Sequence, residues 1–297
     1  MTKFFTTIVL LGAVCAFSAG IFGKTGLDLG FGSAFVYDHA NQYTAGDAVI
    51  DNDVRSLDID WVSGSVNVIP SADHTVSISE LTDGNVSEDM RVHWWLDGTT
   101  LRIRFCASGL KLRFNYGSKA LTVAVPENLK LSDIDIDSAS ADVQVNAAGA
   151  NSVHVDTASG DVTLDNRCDV QSIRINTASG KQNITVPQAK TAKLHTASGD
   201  ISVTANTVKN LTVSSASGDV RCDLQKAPDD CKIETASGKT AVGLPEDAGF
   251  TLKLSMASGR LNSDFAMKKD GRTYICGDGT GCLKIETASG DISLIAQ

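Results

Sequence analysis

Apolar and polar residues alternate with a period of two along most of the chain after residue 25. Ile173 and Ile175 alternate with polar neighbours in one such run, and Ile201 and Val203 do so in another. This period predicts β-strands that bury one face. No segment after residue 25 has a convincing helical period, so the predicted fold class is all-β.

The strands follow an internal repeat that reads Thr-Ala-Ser-Gly-Asp or a close variant. Eight copies lie between Ser138 and Gly290, and their serines are 19 to 21 residues apart except for a step of 31 before the last copy. A fixed period of this length is typical of a supersecondary unit that stacks on copies of itself. We therefore expect a single-chain β-solenoid, similar to a β-helix, with about 19–21 residues per rung. The serines are Ser140, Ser159, Ser179, Ser198, Ser217, Ser237, Ser258 and Ser289.

Glycine follows the serine in every copy except the first, where Ala141 replaces it. A glycine at each turn is typical of a backbone that needs a positive φ. We predict a structural role in the turns for Gly160, Gly180, Gly199, Gly218, Gly238, Gly259 and Gly290.

The position after this glycine carries a charge in every copy. We expect charge balance along a solvated edge. A calcium site is rejected, because one carboxylate per rung, interrupted by cations, supplies too few oxygens. The residues are Asp142, Asp161, Lys181, Asp200, Asp219, Lys239, Arg260 and Asp291.

The chain divides by composition into four regions: 1–25, 26–46, 47–130 and 131–297. Residues 4–23 carry no charge, and as a hydrophobic helix they could anchor the chain in a membrane or serve as a secretory signal. Both alternatives place the rest outside the cytoplasm, either on the cell membrane with an extracellular domain or secreted. Residues 26–46 are predicted to be a linker, 47–130 a β-rich N-terminal cap, and 131–297 the solenoid repeats.

The C-terminal end of the repeats lacks an obvious cap, since the chain continues for only seven residues after Gly290. An uncovered rung presents unpaired backbone groups. We expect the long penultimate repeat, residues 261–281, to fold over the last rung. The alternative is end-to-end association, so the oligomeric state stays open.

One outward column is rich in cations and is a candidate binding site. A net charge of −9 argues against general polyanion binding, nucleic acid included. The column is either a solvated face with local pairs such as Lys232–Glu234 and Lys284–Glu286, or a stripe that binds an anionic cell-envelope polymer or membrane surface. We define the basic stripe as Arg174, Lys193, Lys232, Lys253 and Lys284.

The cysteines predict core positions and one possible cross-link. Cys222 and Cys231 fall in apolar columns and are interpreted as core residues. Cys276 and Cys282 bracket a five-residue loop, where a disulfide is plausible outside the cytoplasm. The spacings fit no zinc motif. No serine is distinguished as a nucleophile, so we expect no metal, no cofactor and no catalytic residue.

These motifs together resemble the bacterial "putative adhesin" β-strand-repeat family, a domain of unknown function. They are the hydrophobic N-terminal segment, Leu-Asp-Ile-Asp-Trp-Val-Ser-Gly-Ser-Val at 57–66, Lys-Ala-Leu-Thr-Val-Ala-Val-Pro at 119–126, the Ser-Gly-Asp copies and Gly277-Asp278-Gly279. The resemblance covers residues 47–297. It implies a β-solenoid at the cell surface, with some relatives tied to envelope stress and no agreed catalytic residues.

The expected function is non-enzymatic, adhesin-like binding at the cell surface. Its expected contacts are the membrane, through the N-terminal segment, and an envelope polymer or surface protein. One alternative is a structural or sensory envelope-stress component that acts through protein–protein contacts. The other is a carbohydrate-active β-helix enzyme, which the absence of a unique polar cluster disfavours.

Overall fold

The computed structural model describes residues 34–111, 119–146 and 149–297. Their regular structure is β-strand apart from two short 3₁₀ helices, Ala40–Gln42 and Glu88–Met90. The predicted all-β class is therefore confirmed. The predicted hydrophobic helix lies outside the described residues. Within the described ranges, no helix has the length and apolar character needed to cross a bilayer.

The chain divides into two compact units, which meet in sequence at residues 167 and 168. The described part of the N-terminal unit lies within residues 34–167, and that of the C-terminal unit is residues 168–297. The first two copies of the repeat belong to the N-terminal unit, and the other six belong to the C-terminal unit.

The N-terminal unit is organised around two long parallel strands. Residues 56–60 of β4 (Ser56–Ser71) pair with β7 (Thr100–Arg104), and residues 65–71 pair with β9 (Lys119–Pro126). The other long strand, β10 (Leu131–Val145), runs along nearly all of β4 on its other side. Antiparallel strands flank this ladder, with β6 on β7 and β5 on β9. The strands are β1 (Ala34–Phe35), β2 (Thr44–Ala45), β3 (Ala48–Ile50), β4 (Ser56–Ser71), β5 (Val76–Thr82), β6 (His93–Asp97), β7 (Thr100–Arg104), β8 (Leu110–Lys111), β9 (Lys119–Pro126), β10 (Leu131–Val145), β11 (Ala150–Ser159) and β12 (Val162–Asp165).

The stretch Trp61-Val62-Ser63-Gly64 lies in register with the first copy of the repeat. Ser63 lies opposite Ser140 and Gly64 opposite Ala141. This register identifies the stretch as a degenerate copy of the repeat that precedes the copy of Ser140. Trp61 fills the core at this level, with its ring edge against Phe105.

The C-terminal unit is a stack of parallel strands in which each rung supplies two strands. The register advances by 19 or 20 residues per rung from β13 (Val170–Ser179) to β17 (Asp230–Ser237), as the repeat predicts. The strands are β13 (Val170–Ser179), β14 (Gln182–Ser198), β15 (Ile201–Ser217), β16 (Val220–Leu224), β17 (Asp230–Ser237), β18 (Thr240–Leu244), β19 (Phe250–Ser258), β20 (Leu261–Ser263), β21 (Lys268–Asp270), β22 (Thr273–Cys276), β23 (Gly281–Ser289) and β24 (Ile292–Ala296).

The inward side chains of this unit form two continuous apolar columns. Ile175, Leu194, Val213 and Ile233 occupy successive levels of one column and are at most 1% exposed. Burial of each such side chain stabilises the fold by about 1.5–3 kcal/mol. A hydroxyl column lies beside the apolar ones, where the Oγ1 atoms of Thr177 and Thr196 are 3.0 Å apart. At these two levels the buried threonine hydroxyls are therefore hydrogen-bonded to each other between rungs.

The order of the rungs in space differs from their order in the sequence. Strand β17 pairs with β23, and β23 pairs on its other side with β19. The last copy of the repeat thus lies between the copies of Ser237 and Ser258. The expectation that the last copy is the terminal rung is wrong.

The long penultimate repeat covers the end of this stack, although not over the rung that was expected. Strand β22 pairs antiparallel with β19, and β21 pairs with β22. The outermost strand β21 is three residues long, fully exposed and begins with two lysines. Short, charged edge strands oppose pairing with another chain, so β21 disfavours end-to-end association along this edge, and the oligomeric state stays a prediction.

Candidate functional site

The basic stripe forms one row across the C-terminal unit. Cα partners follow in the order Arg174, Lys193, Thr212, Lys232, Lys284 and Lys253. Five strand spacings of about 4.8 Å give the row a length of about 24 Å. All five predicted cations therefore lie in a single row, and Thr212 supplies the one neutral position.

Only part of this row carries uncompensated charge. The two predicted ion pairs are confirmed, with 2.8 Å between Lys232 Nζ and Glu234 Oε2 and 2.9 Å between Lys284 Nζ and Glu286 Oε1. Among the described residues, no salt bridge involves the three remaining cations. These are the exposed side chains of Arg174, Lys193 and Lys253.

His195 stands beside the cationic end of the row. It lies opposite Asn176 and Ser214, two residues along the strand from Lys193. Burial, followed by repulsion from Arg174 and Lys193, lowers the pKa of its imidazole. His195 therefore remains neutral at pH 7, and the arginine and lysine provide the positive charge at this end.

The turn glycines bring the rungs into close backbone contact. All seven have φ between +125° and +146°. At Gly199 a Cβ atom would lie 2.0 Å from the carbonyl oxygen of Gly180 on the adjacent rung. Both the backbone angle and the contact require glycine there. The serine before each glycine and the charged residue after it lie along one edge of the stack. The repeat serines from Ser159 to Ser289 are exposed to solvent at this edge.

The aspartates after the glycines bond to the backbone of the neighbouring rung. The backbone N–H of Asp219 donates to Asp200 Oδ1 at 2.9 Å, and that of Lys239 donates to Asp219 Oδ1 at 2.7 Å. The inserted last copy places Asp291 between Lys239 and Arg260. Opposite charges therefore alternate at this end of the column. The order of the copies in the sequence would instead place Lys239 next to Arg260.

The structure does not join Cys276 and Cys282, the pair for which a disulfide was plausible, and both thiols are free. Cys276 lies opposite Phe250 on one side of β19, and Cys282 lies opposite Thr251 on the other side. Two strand spacings separate them by about 10 Å, whereas a disulfide needs Cα atoms within about 7 Å. The predicted core positions of Cys222 and Cys231 are confirmed, since both are 0% exposed.

A second charged surface, in the N-terminal unit, was missed by the sequence analysis. We call it the acidic cluster and define it as Asp58, Asp60, Asp135, Asp137 and Asp156. Strand register places Asp58 beside Asp135, and Asp60 beside Asp137, which in turn lies beside Asp156. The repeated pattern Asp-Ile-Asp at 58–60 and 135–137 is the sequence signal that could have predicted it.

Cations offset most of the acidic cluster. Arg104 contacts Asp58 Oδ1 at 2.8 Å and Asp60 Oδ2 at 3.0 Å, and Arg102 pairs with Asp58. The imidazole of His154 lies 3.2 Å from a carboxylate oxygen of both Asp135 and Asp156. Hydrogen bonds to these two carboxylates outweigh burial and raise the pKa of His154 to about 9.

Asp137 lies among carboxylates. Burial, and then the neighbouring charges of Asp135, Asp60 and Asp156, raises its pKa to about 8. Burial likewise raises the pKa of Asp60 to about 6, although Arg104 opposes the shift. Among the described residues, no group of histidine, cysteine and carboxylate side chains has the geometry of a metal site.

A buried lysine completes the polar interior of the N-terminal unit. Lys119 Nζ lies 2.6 Å from Glu80 Oε1, donates to the carbonyl oxygens of Met90 and Phe105, and lies over the ring of Trp61. The side chains of Lys119 and Glu80 are 2% and 1% exposed. Burial lowers the pKa of Lys119, and the hydrogen bond to Glu80 opposes this shift. The arrangement satisfies the three N–H groups of an ammonium and is structural.

The fold and the surfaces define an all-β repeat protein with charged outer rows. The chain belongs to the Toastrack family, DUF4097, whose sequence profile matches residues 54–295. The expected membership of a "putative adhesin" β-repeat family of unknown function is thereby confirmed. No curated protein matches the chain.

Several solved structures are similar to this chain at low identity. A "putative cell adhesion protein" from Clostridium sporogenes has 13% identity and a TM-score of 0.28, over 85% of this chain and 100% of that one. A "putative adhesin" from Bacteroides fragilis has 15% identity and a TM-score of 0.40, over 85% and 97%. Another from Parabacteroides distasonis has 13% identity and a TM-score of 0.42, over 84% and 96%.

Proposed function

We propose that this protein is a non-enzymatic, adhesin-like binding protein on the outside of the cell. In this proposal the repeats form a β-solenoid and residues 1–25 tether it to the membrane. The basic stripe binds an anionic polymer of the cell envelope.

The observation that carries the proposal is the alignment of the stripe. Arg174 and Lys193 are nearest neighbours in the row, and Lys253 lies about four strand spacings, or about 19 Å, from Lys193. A row with charges at both ends suits an extended polyanion better than a compact anion, because no single small ion can reach both ends. The paired lysines between them add polar contacts and little net charge.

The test compares binding to immobilised poly(glycerol phosphate) before and after removal of the uncompensated charges. We expect Arg174→Gln/Lys193→Gln/Lys253→Gln to weaken binding by about 10- to 100-fold, from about 0.5–1 kcal/mol per exposed contact. Binding by the unaltered chain should fall as NaCl rises, because salt screens exposed charges.

The control carries the same change in net charge at exposed positions that are not members of the stripe. Lys190→Gln/Lys209→Gln/Lys226→Gln meets this condition, and its affinity should stay within about twofold of the unaltered chain. Equal losses in the two triple variants would attribute binding to net charge and remove the stripe from the proposal.

The same purified chain also distinguishes the proposed function from the alternative functions. A structural or sensory component would retain no envelope polymer and would instead recover a protein from the envelope. A carbohydrate-active enzyme would shorten a polysaccharide on incubation. We expect retention of poly(glycerol phosphate) and no shortening of envelope polysaccharide.

A further inference from the structure

The segment formed by β23 and β24 fills a gap between two rungs that precede it in the chain. Leu283 lies opposite Cys231 on one side and Leu252 on the other. Ile292 likewise lies between Thr240 and Leu261. Residues 281–296 are therefore paired in parallel on both sides with segments that come earlier in the chain.

The interior of this gap is apolar and closely fitted. Leu283, Ile285 and Ile292 are 0% exposed, and Leu294 is 1% exposed. Gly290 is in contact with the rung beneath, since a Cβ there would lie 1.9 Å from the carbonyl oxygen of Gly238. Asp291 accepts the backbone N–H of Arg260 at 2.9 Å. The gap thus selects a strand pair with aliphatic residues at fixed positions, a glycine at the turn and an aspartate after it.

A short loop is the covalent link between this segment and the rest of the unit. Residues 277–280 join β22, on one side of β19, to β23 on the other side. Gly277 and Gly279 have φ of 54° and 70°, and glycine crosses to other backbone regions at little cost. The loop can therefore act as a hinge while every contact of residues 281–297 is kept.

We propose that this gap accepts residues 281–297 from a second copy of the chain, so that two copies exchange their last strand pairs. A second copy is the partner that reproduces the whole set of contacts, from Leu283 to Asp291. The exchange needs only a change of hinge conformation, which is the condition for domain swapping. This proposal is independent of the ligand of the basic stripe.

The first test shortens the hinge in the full chain, purified in detergent. Deletion of Asp278 and Gly279 leaves three Cα–Cα steps, about 10–11 Å when fully extended, to pass around β19 over a separation of about 10 Å. The segment then reaches its own gap poorly and that of another copy freely. We expect the dimer fraction by size-exclusion chromatography with light scattering to rise at least about tenfold. A control with two residues inserted after Gly279 should have the same dimer fraction as the unaltered chain.

The second test decides the result if the shortened variant misfolds. A labelled peptide of residues 281–297 is added to the full chain, where it competes with the chain's own segment for the gap, and its anisotropy is followed. A peptide carrying Leu283→Asp and Ile285→Asp should bind more than about 100-fold more weakly. A shortened variant that is monomeric with unaltered stability overturns the proposal. If the shortened variant misfolds, the proposal is overturned when the full chain takes up both peptides equally or takes up neither.

Discussion

The stability of the N-terminal unit should fall as the pH rises, with Asp137 as the main cause. Its pKa is about 8 in the folded chain and about 3.8 as the ordinary value. Asp60 on β4, Asp135 on β10, and Asp156 and His154 on β11 face it. Since the folded state holds a proton that the unfolded state has released, stability is lost between about pH 4 and pH 8.

Replacement of Asp137 by asparagine should remove this loss and keep the shape of the side chain. Each pH unit above the unfolded pKa costs about 1.4 kcal/mol, which gives at most about 4 kcal/mol at pH 7. Because the carboxyl is only partly buried, we expect Asp137→Asn to raise the free energy of unfolding by about 2 kcal/mol at pH 7.5. Near pH 4 the two proteins should be equally stable.

Urea denaturation followed by tryptophan fluorescence at several pH values measures this difference, with Trp61 as a buried reporter in the same unit. Asp133→Asn is the control, because Asp133 is exposed on the same strand, and it should change stability by less than about 0.5 kcal/mol. An Asp137→Asn effect that is the same at pH 4 and pH 7.5, or a loss of stability at pH 7.5, would refute the reasoning.

Two further predictions concern the interior and the turns. Lys119→Met should cost about 3–5 kcal/mol in unfolding free energy, because it leaves the buried Glu80 carboxylate without its cation and with only the backbone N–H of Val92 as a partner. Lys119→Met/Glu80→Leu should recover most of this loss. A single variant as stable as the double variant would contradict the prediction. Gly199→Ala should cost more than about 2 kcal/mol, since its Cβ would overlap the backbone of Gly180. Gly84→Ala has a positive φ and no atom within 4 Å, so thermal or urea unfolding should show a loss of only about 1 kcal/mol.

Local patterns predicted much of the fold. Period-two alternation located the strands because each strand buries one face, and Gly199 marked its turn because only glycine fits there. The columns that place Arg174 beside Lys193 followed from the repeat length alone, since equal spacing fixes which residues become neighbours in a parallel ladder.

Long-range pairing could not be predicted in the same way. Successive copies have nearly the same edges, so the sequence does not state that the copy of Ser289 precedes that of Ser258 in the stack. The step of 31 residues signalled an exception without giving its geometry. Cys276 and Cys282 illustrate the same limit, because neighbours in a loop can face opposite sides of an intervening strand.

The inserted position of the last copy has a consequence for biosynthesis. Residues 230–258 are made before residues 281–296, so a growing polypeptide keeps an open slot in its sheet until the later residues have been translated. Contacts between such distant segments slow folding. The unit is therefore completed only after its final strands have been translated.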